Sequence, residues 1–108
     1  MALPDWYPAP RLKTMDTIRQ QLERQKELTE LSLAFGFTPG PHRCRLDRIG
    51  DQREFVPFRR PPLKATLYLS LDSPLWYLAF DDAPLWFRGD SPQLMAETLQ
   101  KFISWGQA

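Results

Sequence analysis

From Lys64 to Leu71 the chain alternates: Ala65, Leu67, Leu69 and Leu71 fall on one side, and Lys64, Thr66, Tyr68 and Ser70 on the other. A period of two sustained over such a run predicts a β-strand with one face on a core. Directly after it, Asp72-Ser73-Pro74-Leu75-Trp76-Tyr77 is echoed ten residues later by Asp82-Ala83-Pro84-Leu85-Trp86-Phe87. Acidic turn residues and a proline precede an aromatic run each time, so about Leu75 to Phe80 and Pro84 to Arg88 are expected to be consecutive antiparallel strands. The first is apolar on both faces, which marks either a central strand or one whose aromatic face meets a partner. Upstream, Arg43 to Ile49 and Arg53 to Phe58 form a hairpin pattern around Gly50-Asp51. Pro57 marks the second of these as an edge or interrupted strand. Thr38-Pro39-Gly40-Pro41 reads as a loop, and Arg59-Arg60-Pro61-Pro62 breaks the pattern again.

Helical periodicity brackets these strands. A helix is expected from about Thr14 or Asp16 to Phe35, with Gly36 as its stop. Its apolar positions fall on two stripes, Met15, Ile18 and Leu22 on one and Leu28, Leu31 and Phe35 on another. Such a helix either wraps across the sheet or offers part of its second stripe to another molecule. Asp90-Ser91-Pro92 is a helix start, with proline at the first helical position, and the helix is expected to reach about Trp105. Residues 1–12, with Pro4, Pro8 and Pro10 around Trp6 and Tyr7, form an extended Pro-rich arm in this reading. The prediction is one α+β domain over 1–108: an antiparallel meander of about four to five strands flanked by an N-terminal and a C-terminal helix.

Charge changes the picture more than composition does. The formal net charge is only +1, yet residues 43–64 hold seven basic side chains against three acidic, and residues from 65 onward hold two basic against five acidic. The resulting dipole can steer a charged partner. Cys44 is the only cysteine, so no intrachain disulfide forms, and the N-terminus lacks the basic start and apolar run of a secretory signal. A cytoplasmic protein without a membrane span is expected. With no Asn, ten Arg against four Lys and sixteen Leu against three Ile, the composition suggests a GC-rich genome, that of a bacterium or of a phage or mobile element.

Catalytic chemistry is poorly supplied. His42 is the only histidine, two residues from Cys44, and lacks the spaced ligand pairs of a metal site. Asp81 and Asp82 are adjacent in a turn and point apart. No glycine-rich phosphate loop or dinucleotide fingerprint occurs, so no enzyme, metal or cofactor is predicted. A helix, strands and a closing helix, with Gly40-Pro41-His42 before the first strand, is similar to a double-stranded-RNA-binding domain. That family's lysine cluster at the start of the last helix is replaced here by Ser91-Pro92-Gln93-Leu94-Met95-Ala96-Glu97, so the likeness assigns no family.

Arginine and tryptophan are the usual anchors of interfaces. The expected binding surface is therefore an arginine-rich hairpin (Arg43, Arg45, Arg53, Arg59, Arg60) together with exposed members of the aromatic echo (Trp76, Trp86). The function expected from it is non-enzymatic binding of a protein partner, as an accessory, regulator or inhibitor. The alternative is a nucleic-acid-binding module in which the same arginines meet phosphates. Self-association through the Pro57 edge or the second stripe of the long helix would make the chain a homodimer.

Overall fold

The computed structural model describes the backbone of residues 11–107 and the side chains of residues 17–104. The arm up to residue 10, with Trp6, and the side chain of Trp105 lie outside the described residues. Two helices, α1 (Arg11–Ala34) and α2 (Pro92–Gln107), enclose in sequence the strands β1 (Thr38–Pro39), β2 (Cys44–Leu46), β3 (Asp51–Arg59), β4 (Ala65–Ser70), β5 (Trp76–Phe80) and β6 (Trp86–Gly89). Every pairing is antiparallel. The strands β3-β4-β5-β6 form a meander, and β1 and β2 lie along the outer side of β3 as two short pieces of one edge. The fold is thus the expected α+β arrangement, with six strands in place of four or five.

The helix ends follow their local chemistry. Gly36, at φ +89°, closes α1: its N–H donates to the Leu33 carbonyl (3.0 Å) and the Phe37 N–H to the Ser32 carbonyl (2.9 Å), the paired bonds of a left-handed glycine cap. Phe37 is thereby turned into the core, where it is fully buried. At the start of α2 the Leu94 N–H donates to Ser91 Oγ (3.1 Å), with Pro92 at the first helical position, as the sequence predicts. The start of α1 differs from expectation. Arg11 and Leu12 are helical, because the prolines that bar helix formation end at Pro10 and every later residue has a donor to give.

Both helices cover one face of the sheet. Leu28 of α1 and Met95 and Leu99 of α2 pack on Phe58, Ala65, Leu67, Leu69, Trp76 and Leu78, and Leu31, Phe35, Phe102 and Ile103 border them. Phe80 meets Phe102 edge to face at 4.6 Å, a favoured geometry for paired rings. The second stripe of α1 is therefore the one that is used, and Ile18 and Leu22 of the first stripe are left exposed. Leu28 of the second stripe is buried and Leu31 and Phe35 are partly buried, so most of the stripe expected to be offered to another molecule is used within the domain.

Pro57 is neither on a free edge nor inside an unbroken ladder. Its strand pairs on both sides, but its missing N–H faces the gap between β1 and β2. Only its carbonyl is used there, accepting from the Gly40 N–H at 2.7 Å. Proline is tolerated at that one position because its partner strand is interrupted. The same pairing draws Thr38 and Pro39, expected in a loop, into a short strand against Phe58 and Arg59, and it covers the edge through which self-association was expected.

Trp76 was expected among the exposed aromatics. It is fully buried, lying over Gly89 with its indole Nε1–H donating to the Ser91 carbonyl (3.1 Å). The echo misleads here for a geometric reason. Ten residues along one strand would keep Trp76 and Trp86 on one face, but β5 and β6 pair Trp76 with Gly89 and Ala79 with Trp86, which puts the two indoles on opposite faces.

A Cβ at Gly89 would stand 2.4 Å from Trp76 Cζ2, inside any real carbon contact. Gly89→Ala is expected to lower unfolding stability by about 2 kcal/mol or more through overpacking. Gly50, at φ +77° with nothing within 4 Å, should accept Asn with a loss below about 1 kcal/mol. Urea titrations followed by circular dichroism measure both, and equal effects at the two glycines would contradict this account.

Candidate protein-binding groove

Among the described residues the second face of the sheet carries no helix. Along the strands its side chains alternate with those of the core: Arg53, Phe55, Pro57 and Arg59 on β3, Thr66, Tyr68 and Ser70 on β4, Tyr77 and Ala79 on β5, Trp86 and Arg88 on β6. Its cover is a flap. After Leu46 the chain leaves β2 through a 3-10 turn, Asp47–Ile49, which Gly50 closes, and Leu46 and Ile49 pack onto Phe55, Tyr68, Leu75 and Tyr77. The strand expected to run through Ile49 stops at Leu46 because the register with β3 shifts between Arg45 and Leu46. That shift folds the remaining residues over the face.

The flap leaves a depression on either side, with Ile49 lining both. The first, about 850 Å³, is ringed by Asp51, Arg53, Glu54, Asp72, Tyr77 and Arg88. Its charges answer one another. Tyr77 Oη donates to Asp51 Oδ2 at 2.8 Å, and the Arg53 N–H donates to Asp51 Oδ1 at 3.0 Å. Burial pushes the Asp51 carboxyl up, but those two bonds and the Arg53 and Arg88 guanidiniums outweigh it and hold its pKa below the ordinary aspartate value. Burial and the Asp51 carboxylate push Tyr77 up.

The second depression, about 760 Å³, runs between the flap residues Arg45–Ile49 and the hairpin end Asp81–Trp86, over Tyr68 and Ala79. It is the more suited to a partner. Trp86 keeps 43% of its surface exposed and Leu85 52%, and Trp86 is braced edge to face against Tyr77 at 5.5 Å. Burial raises the Tyr68 phenol, with Asp81 adding to the effect, so it stays a neutral hydroxyl. Arg45 and Arg48 on the flap are exposed, and no ion pair is formed by either among the described residues. An apolar floor with an aromatic wall, bordered by two arginines that form no ion pair among the described residues, can receive an apolar side chain flanked by carboxylates.

The expected arginine surface is dispersed. Cys44 pairs with Phe55 and Arg45 with Glu54, so β2 points Arg45 away from the face that Arg53 and Arg59 occupy on β3. Arg43 lies 4.0 Å from Glu54. Arg53 belongs to the other depression. Arg59 is occupied, donating to Asp81 Oδ2 and to Thr66 Oγ1, each at 2.8 Å. Arg60 lies at the end of α1, where its Nε would be 3.1 Å from a Cβ at Gly36. Of the seven residues expected to bind, the groove brings together Arg45 and Trp86. Arg48, which sequence reasoning left out of the site, joins them because the 3-10 turn carries it over the face. The register shift that produces this turn has no sequence signal beyond Gly50.

Asp82 turns to Lys64 at 3.6 Å while Asp81 turns to Arg59, so the adjacent carboxylates do point apart. Cys44 is half-buried and its thiol is pushed up by burial, away from the thiolate that reactivity requires. Among the described residues no three His, Cys, Asp or Glu side chains are grouped as a metal would need, and no helix is long and apolar enough to cross a membrane. Searches of protein families, curated proteins and solved structures find no match to the chain.

Because the folded state holds Asp51 below its unfolded pKa, its contribution to stability is present above the unfolded value and lost as pH falls through the folded one. Tyr77→Phe removes a bond to the carboxylate. The stability difference between wild type and Tyr77→Phe should therefore be largest near neutral pH and shrink in acid, and the Asp51 carboxyl should titrate higher in the variant by NMR. A difference that is constant with pH would show that the bond is not made to an ionised carboxylate.

Proposed function

We propose that this chain is a non-enzymatic binding protein that receives a segment of another protein in the groove between the flap and the β5–β6 hairpin. The observation that carries the reading is a half-exposed tryptophan, Trp86, in a depression that is also lined by Arg45 and Arg48, two exposed arginines with no ion pair among the described residues. Tryptophan and arginine in a partly desolvated depression are the side chains that most often dominate binding energy. The partner segment that fits presents a bulky apolar side chain to Tyr68 and Trp86, with Asp or Glu beside it for the guanidiniums. A role as accessory, regulator or inhibitor follows, because the chain would act by occupying a partner rather than transforming it. The lone, half-buried Cys44 supports a reducing, cytoplasmic setting.

A nucleic acid needs a continuous basic track, since affinity for it grows with the number of phosphates neutralised together. The separation of the arginines onto two faces, and the carboxylates of Asp47 and Asp81 in the groove wall, favour a protein partner.

Arg59 is a poor probe, because its reversal would break the bonds to Asp81 and Thr66. Trp86→Ala and Arg48→Glu act on exposed groups and should leave the circular dichroism spectrum unchanged while each weakens partner capture by about tenfold or more. Arg53→Glu, in the other depression, should capture as wild type does. Pull-downs with and without nuclease, scored on one stoichiometric protein, read this out. Capture that survives both groove variants, or that vanishes with nuclease, would overturn the proposal.

A further inference from the structure

Among the described residues the outer edge of β6 is paired with no other strand, and its composition is unusual. Leu85, just before the strand, and its residues Trp86 and Phe87 are exposed at 52%, 43% and 38%, on both faces of the sheet. Exposed edges are ordinarily blunted with lysine, proline or a bulge. The stretch from Leu85 to Gly89 has none of these, and its one charge is Arg88.

The hydrogen-bond phase shows which groups are free. The Phe80 N–H donates to the Leu85 carbonyl at 3.1 Å, and the register pairs Leu78 with Phe87 and Trp76 with Gly89. Leu85, Phe87 and Gly89 therefore turn their main-chain groups toward β5, while Trp86 and Arg88 turn theirs outward. Two outward residues spaced by one form a self-complementary pair. A second β6 laid antiparallel about a two-fold axis at Phe87 sets Trp86 opposite the other copy's Arg88, and Arg88 opposite its Trp86, each an exchanging pair of N–H···O=C bonds.

The side chains suit the same register. On the open face each guanidinium would meet an indole, an electrostatic match between a cation and an aromatic face. On the helix-covered face Phe87 would oppose Phe87 in the non-hydrogen-bonded position, where side chains approach most closely. Phe87 is already packed on Phe80, ring centroids 6.0 Å apart, so the apolar layer would continue across the axis.

We infer that the chain pairs with a second copy of itself through antiparallel β6 edges, joining two sheets into one across a two-fold axis at Phe87. The edge shares the Trp86 side chain with the groove but rests on the main chain of β6, so the two readings fail separately: a monomer could still capture its partner, and a dimer could fail to.

Sedimentation velocity from sub-micromolar to near-millimolar concentration should show wild type passing from monomer to dimer. Phe87→Lys places two ammonium groups in opposition and should stay monomeric. Arg88→Pro removes an N–H that bonds nothing among the described residues, so it should fold and also stay monomeric. Ile18→Lys, on the exposed stripe of α1, should dimerise as wild type does. Amide exchange adds a residue-level reading: Trp86 and Arg88 amides should slow by about tenfold or more as concentration rises, while the Phe87 amide, bonded to Leu78, is protected throughout. A wild type that is monomeric at every concentration, or a dimer that persists in both edge variants with Trp86 and Arg88 exchanging freely, would overturn the inference.

Discussion

The indole of Trp76 lying across Gly89 is the contact on which the arrangement depends. It joins three elements at once: β5 through its own backbone, β6 through the glycine that leaves room for the ring, and α2 through the bond from the indole N–H to the Ser91 carbonyl. A large aromatic ring buried in this way contributes both area removed from water and close packing. It also fixes a register, since only the pairing that sets position 89 opposite position 76 puts a residue without a side chain under the ring. From that register follows the placement of Trp86 opposite Ala79, on the face away from the helices. The buried tryptophan thus dictates where the exposed one stands.

The two faces of the sheet are stabilised by different means. One is covered by helical side chains, with Leu28, Met95 and Leu99 fully excluded from solvent. The other is closed by a few residues, chiefly Leu46 and Ile49, over Phe55 and Tyr77. A cover that small leaves concave ground on either side of it. The groove exists because the flap is shorter than the face it lies on, and its polarity is inherited from the turn chemistry that ends β2.

Much of the fold was legible from local signals. The alternation from Lys64 to Leu71, the glycine after Phe35 and the Ser91-Pro92 start each act through the backbone within a few residues, and each is found where expected. What depended on pairing was not legible. Whether Trp76 or Trp86 is buried is decided by the parity of the β5–β6 register, and nothing in a ten-residue echo reports parity. Likewise the arginines, close together in sequence, separate because neighbouring residues of a strand face opposite ways and because β2 breaks off after Leu46. The candidate surface was named by residue type, whereas which residues line the groove, Arg48 and Tyr68 beside Arg45 and Trp86, is set by where the flap folds.

The break in the outer edge beside β3 has a meaning for how such a chain tolerates change. Residues 40–43 bridge the gap opposite Pro57, attached on one side by the Gly40 bond and on the other by the start of β2. Neither core contains them. Lengthening or shortening this bridge would alter how β2 and its flap sit without disturbing the inner ladder of β3 with β4, because that ladder uses the opposite side of the strand. The groove wall can therefore be reshaped from a segment outside both apolar cores, which separates the evolution of the groove's shape from the evolution of how the chain folds.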